Sequence, residues 1–560
     1  MLRPSWFPGP DPGRSKTAPL RSDSTFGPVG AKAANSTQPE ACFGVSDLPH
    51  MNSHPLTRRE ALRLGAKFAA GAALGSAFFP LRLSAQSRRK PAAEFDVLDF
   101  GAVGDGVALD SAAIQRAIDA AAAAGGGARV LLRGGRRYLI GSLQLKGGID
   151  FHLADDATLL VSTRREDYGG ALETRPPVSE QSASGPGVPP VSSPKDAPKP
   201  RPVEVAALTA REAHGLRITG TGTIDGRSRE FMTGFDAENE WWRPGAFRPR
   251  LLVLTGCQDL EIHDVLLRQA PSWTVHLVGC EHVLIDRVRI DNQLDVPNCD
   301  GIDPDHCRDV EIRGCHIVCG DDGVVVKTSR PGAAYGPSAN IVVKDCVIET
   351  QDAGVKIGTE TMQDIHDIRF ERCKIRSSCR GLCIQLRDEG NIFNVDFSDI
   401  EFVSRYHSAP WWGRGEAISL TAIPRTPQGK VGTLHDVRIR NVTGRAENSA
   451  RVSGTPESRM RDVRLENVAV TLDRWTKYPG GVFDNRPTTA YPGLEPHGTP
   501  GFNIRYADNV VLDRCRVDWG QNRPDYFTHA LEASDVTGLS YPGFAGEAAH
   551  PERDKAIAFR

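Results

Sequence analysis

One pattern constrains this chain more than any other: an eight-residue template, apolar at positions 1, 3, 6 and 8, that recurs down its length. It reads Leu260, Ile262, Val265, Leu267, then Val283, Ile285, Val288, Ile290, then Val310, Ile312, Cys315, Ile317. It continues as Ile341, Val343, Cys346, Ile348, then Ile368, Phe370, Cys373, Ile375, then Val395, Phe397, Ile400, Phe402. These six copies start 23, 27, 31, 27 and 27 residues apart. Later copies begin at Val463 and Val510, with a weaker one at Val437. Each half of the template alternates with period two, the mark of a strand that buries one face. The skipped position between 3 and 6 is a bend joining two short strands. A unit of roughly 25 residues without a helix cannot build a leucine-rich horseshoe. It buries its apolar residues by coiling, each strand pairing with its equivalent one turn on. The fold class is therefore all-β, a parallel β-helix.

The cysteines fit that frame. Cys315, Cys346, Cys373 and Cys515 all hold template position 6, where other copies carry Val or Ile, so they are read as interior residues. Cys315, His316 and Cys319 have a zinc-like spacing, but an inward Cys315 and an outward His316 point apart. Asp110 or Ser111 is a good N-cap for a helix reaching about Ala124, where Gly125-Gly126-Gly127 ends it. Such a helix would cover the open end of the first coil. Together with Asp99-Phe100-Gly101-Ala102-Val103-Gly104-Asp105-Gly106, this region resembles the N-terminal cap of pectin-degrading β-helix proteins. Residues 175–203, rich in Pro and Ser, are expected to be a loop inserted within one β-helical domain spanning residues 95–540.

Residues 1–56 lack apolar periodicity and are expected to be disordered. Arg58-Arg59, the uncharged run from Phe68 to Phe79 and the small residues before Gln86 resemble a bacterial twin-arginine export signal over residues 57–85. The late position of that signal points to Met51 as the start codon. The apolar run is shorter than the ~20 residues of a spanning helix, so no membrane insertion is expected. The expected address is the periplasm or beyond. A net charge of -2 gives no polyanion-binding surface, and nucleic acid is excluded as a partner.

A second ladder carries the chemistry. Asp300-Gly301-Ile302, Asp322-Gly323-Val324, Ala353-Gly354-Val355 and Arg380-Gly381-Leu382 share one form. Asp322, Ala353 and Arg380 each follow position 1 of their copy by twelve residues and should stack on successive coils. Adjacent rungs lie ~4.8 Å apart, so Asp300, Asp321 and Asp322 should meet on one outer face. Crowded carboxylates raise one another's pKa, and a protonated acid beside an ionised one is what glycoside hydrolysis requires. A single Asp-Gly step is an ordinary solvated turn; two of them one coil apart favour chemistry.

Asn298-Cys299-Asp300-Gly301-Ile302-Asp303, Gly320-Asp321-Asp322 and Ala270-Pro271-Ser272-Trp273-Thr274-Val275-His276 resemble glycoside hydrolase family 28, the polygalacturonase and rhamnogalacturonase family. The resemblance implies a right-handed β-helix and an inverting hydrolase that needs neither metal nor cofactor. It implies Asp321 as general acid, with Asp300 and Asp322 activating water. Inversion calls for carboxyl groups ~6.5–9.5 Å apart. The chain departs from the family where a Gly-His-Gly step becomes Asp352-Ala353-Gly354, and where Arg-Ile-Lys becomes Cys383-Ile384-Gln385. Lys356, Arg380 and Arg387 are the candidates to bind substrate in place of those cations, although Arg380 or Lys327 read alone is a solvated surface charge. Trp411 and Trp412 are candidate sugar-stacking walls of the cleft; Trp241 and Trp242 read rather as buried loop packing.

The expected partner is a polysaccharide or oligosaccharide, and the expected state a monomer. Two alternatives remain open: a calcium-dependent polysaccharide lyase using the clustered acids, and a carbohydrate-binding β-helix without catalysis.

Overall fold

A computed structural model describes residues 91, 93–169 and 205–560. The N-terminal extension 1–56, the export segment 57–85 and the insertion 175–203 lie outside the described residues. Within those described, parallel strands pair coil upon coil into one continuous 35-stranded sheet, a right-handed parallel β-helix.

The template explains why the chain coils. The residue just before position 1 has positive φ in every copy, as at Asp259, Asp309, Asn340, Asp367, Asn394 and Asn509. So does position 5, as at Asp264, Gly314, Asp345, Asp399, Asn441 and Asn467. Asn, Asp and Gly enter the left-handed region at least cost, so each copy carries two built-in corners around its first strand. Arg287 and Arg372 also stand at such corners, and each donates to the corner carboxylate one coil back, Asp264 and Asp345, at 2.8 Å. The corners keep the copies in phase: Leu260 pairs with Val283, Val283 with Val310, Val310 with Ile341 and Ile341 with Ile368. Template positions therefore stack into rows of buried side chains, each worth roughly 1.5–3 kcal/mol of transfer free energy. Phe370 and Phe397 lie face to face, centroids 5.1 Å apart.

The capping helix, α1 (Ser111–Ala124), buries Ala113, Ile114, Ala117, Ile118 and Ala121 against the first coils. Its cap differs in chemistry from the expectation. Asp110 is the N-cap residue, but its carboxylate accepts from Val103 N and Gly104 N at 2.7 and 3.1 Å instead of capping the helix. The eleven described cysteines are all free and buried. Cys315 is buried while His316 is half-buried, as opposite faces of the coil require.

The face that matters for function is the strand series β1 (Arg250–Thr255), β2 (Val275–Val278), β3 (Ile302–Asp305), β4 (Val324–Thr328), β5 (Ala353–Thr361), β6 (Arg380–Leu386), β7 (Glu416–Ala422), β8 (Asn448–Ser453) and β9 (Phe502–Asp513). Elsewhere strands alternate buried and open residues, as in Leu434–Ala446. From β2 to β8 every residue is buried on both faces, whereas β1 leaves Arg250, Val253 and Thr255 partly open. Something covers the outer side of this sheet.

Candidate active site

The predicted ladder forms in register. Ile302 pairs with Val324 and Val324 with Val355, which sets Asp300, Asp322 and Ala353 in line. Ala353 then pairs with Arg380, Arg380 with Glu416 and Glu416 with Asn448. The glycines that follow these positions are dictated by packing. A Cβ on Gly301, Gly323, Gly354 or Gly381 would come within 2.6–2.8 Å of Ile317, Ile348, Ile375 or Phe402, the position-8 core residues.

One oxygen of each of Asp300, Asp321 and Asp322 lies within 4.8 Å of the others. That is closer than the ~6.5–9.5 Å expected for an inverting pair. The three are only 1%, 2% and 1% exposed. Burial pushes Asp321 well above the ordinary carboxylate range, and the charges of Asp300, Asp322 and Asp352 push it further. Burial raises Asp300 likewise, with Asp303 adding to it and Lys327 opposing. Asp321 Oδ1 accepts from Asp322 N at 3.0 Å, and Asn298 Nδ2 stands 3.5 Å from its other oxygen. Asp322 has a cationic partner: Lys356 Nζ donates to Oδ2 at 2.7 Å. Burial works against the Lys356 ammonium, but Asp322 and Asp352 outweigh it and hold the charge.

Several expectations are corrected. Lys327 is not a solvated charge: it is buried, with Asp303 at 3.0 Å, Asp300 at 3.6 Å and the Trp273 ring centroid at 3.8 Å. Arg380 is not one either, being buried with Asp352 at 3.0 Å and Asp484 at 3.5 Å. Arg387 is buried two positions beyond Gln385, donating to Asn485 O at 3.1 Å and Thr421 Oγ1 at 3.0 Å. Burial and the neighbouring Arg425 and Arg380 charges push it down to about 9. Trp411 and Trp412 offer no exposed stacking surface. Trp411 packs edge-on to Trp241 inside the 405–415 loop, and Trp412 lies beneath the Arg486 guanidinium. Trp241 is buried, as expected, whereas Trp242 is only half-buried, against Phe235 and Arg229, and both stand in a strand, Trp241–Pro244. Of the five proposed substrate contacts only Lys356 therefore reaches the acids.

The sequence pattern gives no hint of two further cations near the site, Arg248 and Arg250. Arg248 is half-buried and donates to Pro271 O, Pro297 O and Asn298 Oδ1 at 3.2, 2.9 and 3.0 Å, which holds it above Asp321. Arg250 lies 4.1 Å over the Trp273 ring and 2.7 Å from His276 Nδ1. Burial and Arg250 push His276 down to about 4, so Nδ1 accepts from Arg250 and Nε2 donates to Asp305. Leu252 pairs with Val275, which brings Arg250 to the rung of Trp273, a register the template copies do not reach.

The sequence profile of the glycosyl hydrolases family 28 matches residues 199–478. A protein of Vitis vinifera described as "Probable polygalacturonase" is 31% identical over 386 residues, covering 67% of this chain and 74% of its own length. An "Endo-polygalacturonase" of Pectobacterium parmentieri is 23% identical over 279 residues, 48% of this chain and 66% of that one. Among solved structures, an exopolygalacturonase of Thermotoga maritima superposes with a TM-score of 0.55 at 20% identity, covering 76% of this chain and 93% of its own. The family 28 exopolygalacturonase of Yersinia enterocolitica gives 0.57 at 18% identity, covering 80% and 78%. The two solved structures establish the right-handed parallel β-helix, and the profile and the Vitis relative establish descent: this chain is a glycoside hydrolase of family 28.

Proposed function

We propose that this hydrolase cleaves glycosidic bonds of a pectic or related polysaccharide, with Asp321 as general acid and Asp300 and Asp322 activating the water. The observation that carries the reading is the meeting of three carboxylates whose environments differ. Asp321 has like charges around it and, among the described residues, no cation in ion-pair contact, which favours its protonated form. Asp322 is hydrogen-bonded to the Lys356 ammonium at 2.7 Å. The acid gives its proton to the leaving oxygen as the bond to the anomeric carbon breaks. Water adds to that carbon and passes a proton to the carboxylate pair, so each carboxyl ends in the other's state and resets through solvent. Asn298 stands 3.5 Å from Asp321 and accepts from Arg248, which links that cation to the acid. With Arg-Ile-Lys absent, Arg248, which donates to Asn298 beside Asp321, is the cation suited to a uronate carboxylate.

The lyase alternative fits the geometry poorly. Calcium takes six to eight oxygen ligands, which Asp300, Asp303, Asp321 and Asp322 would have to supply in large part. Lys356 and Lys327 also put ammonium groups 2.7 and 3.6 Å from two of the three carboxylates. Export by the twin-arginine route is part of the proposal, carried by residues 57–85. Among the described residues no helix is long and apolar enough to cross a membrane.

The deciding experiment compares wild type and Asp321→Asn on polygalacturonate and rhamnogalacturonan, with and without chelator. Chelator-insensitive release of reducing ends by the wild type, without unsaturated-uronate absorbance and lost in the variant, supports the reading. Equal, negligible turnover by both with binding retained would replace it with the non-catalytic alternative, and chelator-sensitive absorbance with the lyase.

A further inference from the structure

Resting on that hydrolytic reading, we infer that the substrate cleft is closed at one end by the segment 482–489, so that the enzyme works from chain ends and not within the polymer. The segment crosses the outer face of the sheet from one corner to the other. At the near corner Asp484 accepts from Gly413 N at 2.8 Å, donates its own N–H to Glu416 Oε1 at 3.1 Å and faces Arg380 at 3.5 Å. Over the strands themselves, Gln385 Nε2 on β6 donates to Arg486 O at 3.0 Å. Arg451 Nη1 on β8 donates to Asn485 Oδ1 at 2.7 Å. At the far corner Thr488 Oγ1 donates to Pro424 O at 2.6 Å and Thr489 N to Arg425 O at 2.7 Å.

This crossing explains three otherwise costly features. Arg380 and Arg387 are buried cations on the outer face of a sheet, and both hold the strap. The Glu447 carboxylate is fully buried because it ties the strap's root to the 405–415 loop. It accepts from Tyr406 N at 2.6 Å and from Trp475 N and Thr476 N at 2.7 Å. Trp412 is covered because Arg486 lies on it. Glu240 of the 236–241 turn pairs with Lys477 and Tyr478, joining an upstream loop to the strap along one side of the cleft. Asp322 stands on the rung of β4 and the strap first covers β6, two strand spacings or ~10 Å on. A glycan thread cannot continue over β6 to β8, where the strap is hydrogen-bonded to the strands. Among the described residues, β1 at the other end leaves Val253 and Thr255 partly exposed.

The test follows polygalacturonate and rhamnogalacturonan by chromatography at low conversion, with viscosity measured against reducing ends. Mono- or disaccharide as the sole early product, with viscosity falling slowly, is the expected result. Replacing Arg486–Pro492 by Asn-Gly, a two-residue hairpin turn, should open the cleft and give a ladder of oligomers. The double variant Thr488→Ala, Thr489→Ala loosens the far anchor without shortening the chain and should broaden the products in the same direction. An oligomer ladder from the wild type, or short products alone from folded forms of both variants, overturns the inference while leaving hydrolysis intact. Absence of new reducing ends on every glycan overturns the hydrolase reading beneath it.

Discussion

Lys356 Nζ lies 2.7 Å from Asp322 Oδ2, and each side chain is 1% exposed. Lys356 is one coil beyond Asp322 and pairs in the sheet with Val325, so the contact is a direct product of coil register. It supplies a fixed positive charge next to the triad, where the family's histidine is missing. Removing one member of a buried pair strands the other charge, at a cost of about 3–5 kcal/mol. Lys356→Met should therefore lower stability by that order, read as a fall in Tm. It should lower kcat far more than it raises KM, because the cation that holds and orients Asp322 is lost. Lys356→Arg, which keeps the charge, should restore part of kcat. Equal activity in Lys356→Met and wild type would show that the ammonium has no part in the chemistry.

The pH dependence follows from the raised carboxyls. Asp321 in the folded state titrates above its unfolded value of ~3.9, so the general acid stays protonated beyond the ordinary carboxylate range. The alkaline limb of kcat/KM should lie above that range. Stability has the same sign. Burial raises Asp303 to about 6 and Asp352 to about 7. A carboxyl with a raised folded pKa favours the fold fully below the unfolded pKa and loses that contribution as pH climbs through the folded one. Tm should therefore fall between about pH 4 and 7, and Asp352→Asn, which cannot ionise, should flatten the slope. A wild-type Tm that rises through this window would contradict the assignment.

Corner geometry can be tested away from the site. Asn467 has φ 53° at template position 5, and its amide donates to Asn441 Oδ1 at 3.0 Å on the preceding coil. Asn467→Val forces a β-branched residue into the left-handed region and should cost about 1–2 kcal/mol or more. Asn467→Gly keeps the backbone free and should cost a few tenths. Urea unfolding of the two variants separates backbone strain from the lost amide contact.

Those corners also show why so much is legible in the sequence. Period-two alternation interrupted at a fixed place encodes both strand and bend, so template positions become buried rows and Asp322, Ala353 and Arg380 come into line. The strap is not legible, because 482–489 carries no template copy and its partners are remote, Gln385 and Arg486 being 101 residues apart. Arg380 and Arg387 read as substrate cations for that reason: a sequence shows a charge on an outer face but not the distant segment that covers it. Lys327 misleads in the same way, since its partners Asp303 and Trp273 come from the two preceding coils.

The stereochemical outcome is the sharpest test of the triad. The nearest oxygens of Asp300, Asp321 and Asp322 lie within 4.8 Å, short of the separation typical of inverting carboxyl pairs. A third carboxylate changes what that distance means. A water bonded to two oxygens at ~2.8 Å each can bridge a gap of up to ~5.6 Å, so Asp300 and Asp322 can share one water directly. That water, held by two acceptors, is oriented for attack opposite the bond that Asp321 protonates. A retaining route would instead require one carboxylate to bond the anomeric carbon, and Asp322 is held back from this by its Lys356 partner. The first sugar released, followed by proton NMR before mutarotation, should carry the anomeric configuration opposite to the bond cleaved. Retained configuration, or a glycosyl-enzyme adduct seen by mass spectrometry, would assign one of the three acids as a nucleophile.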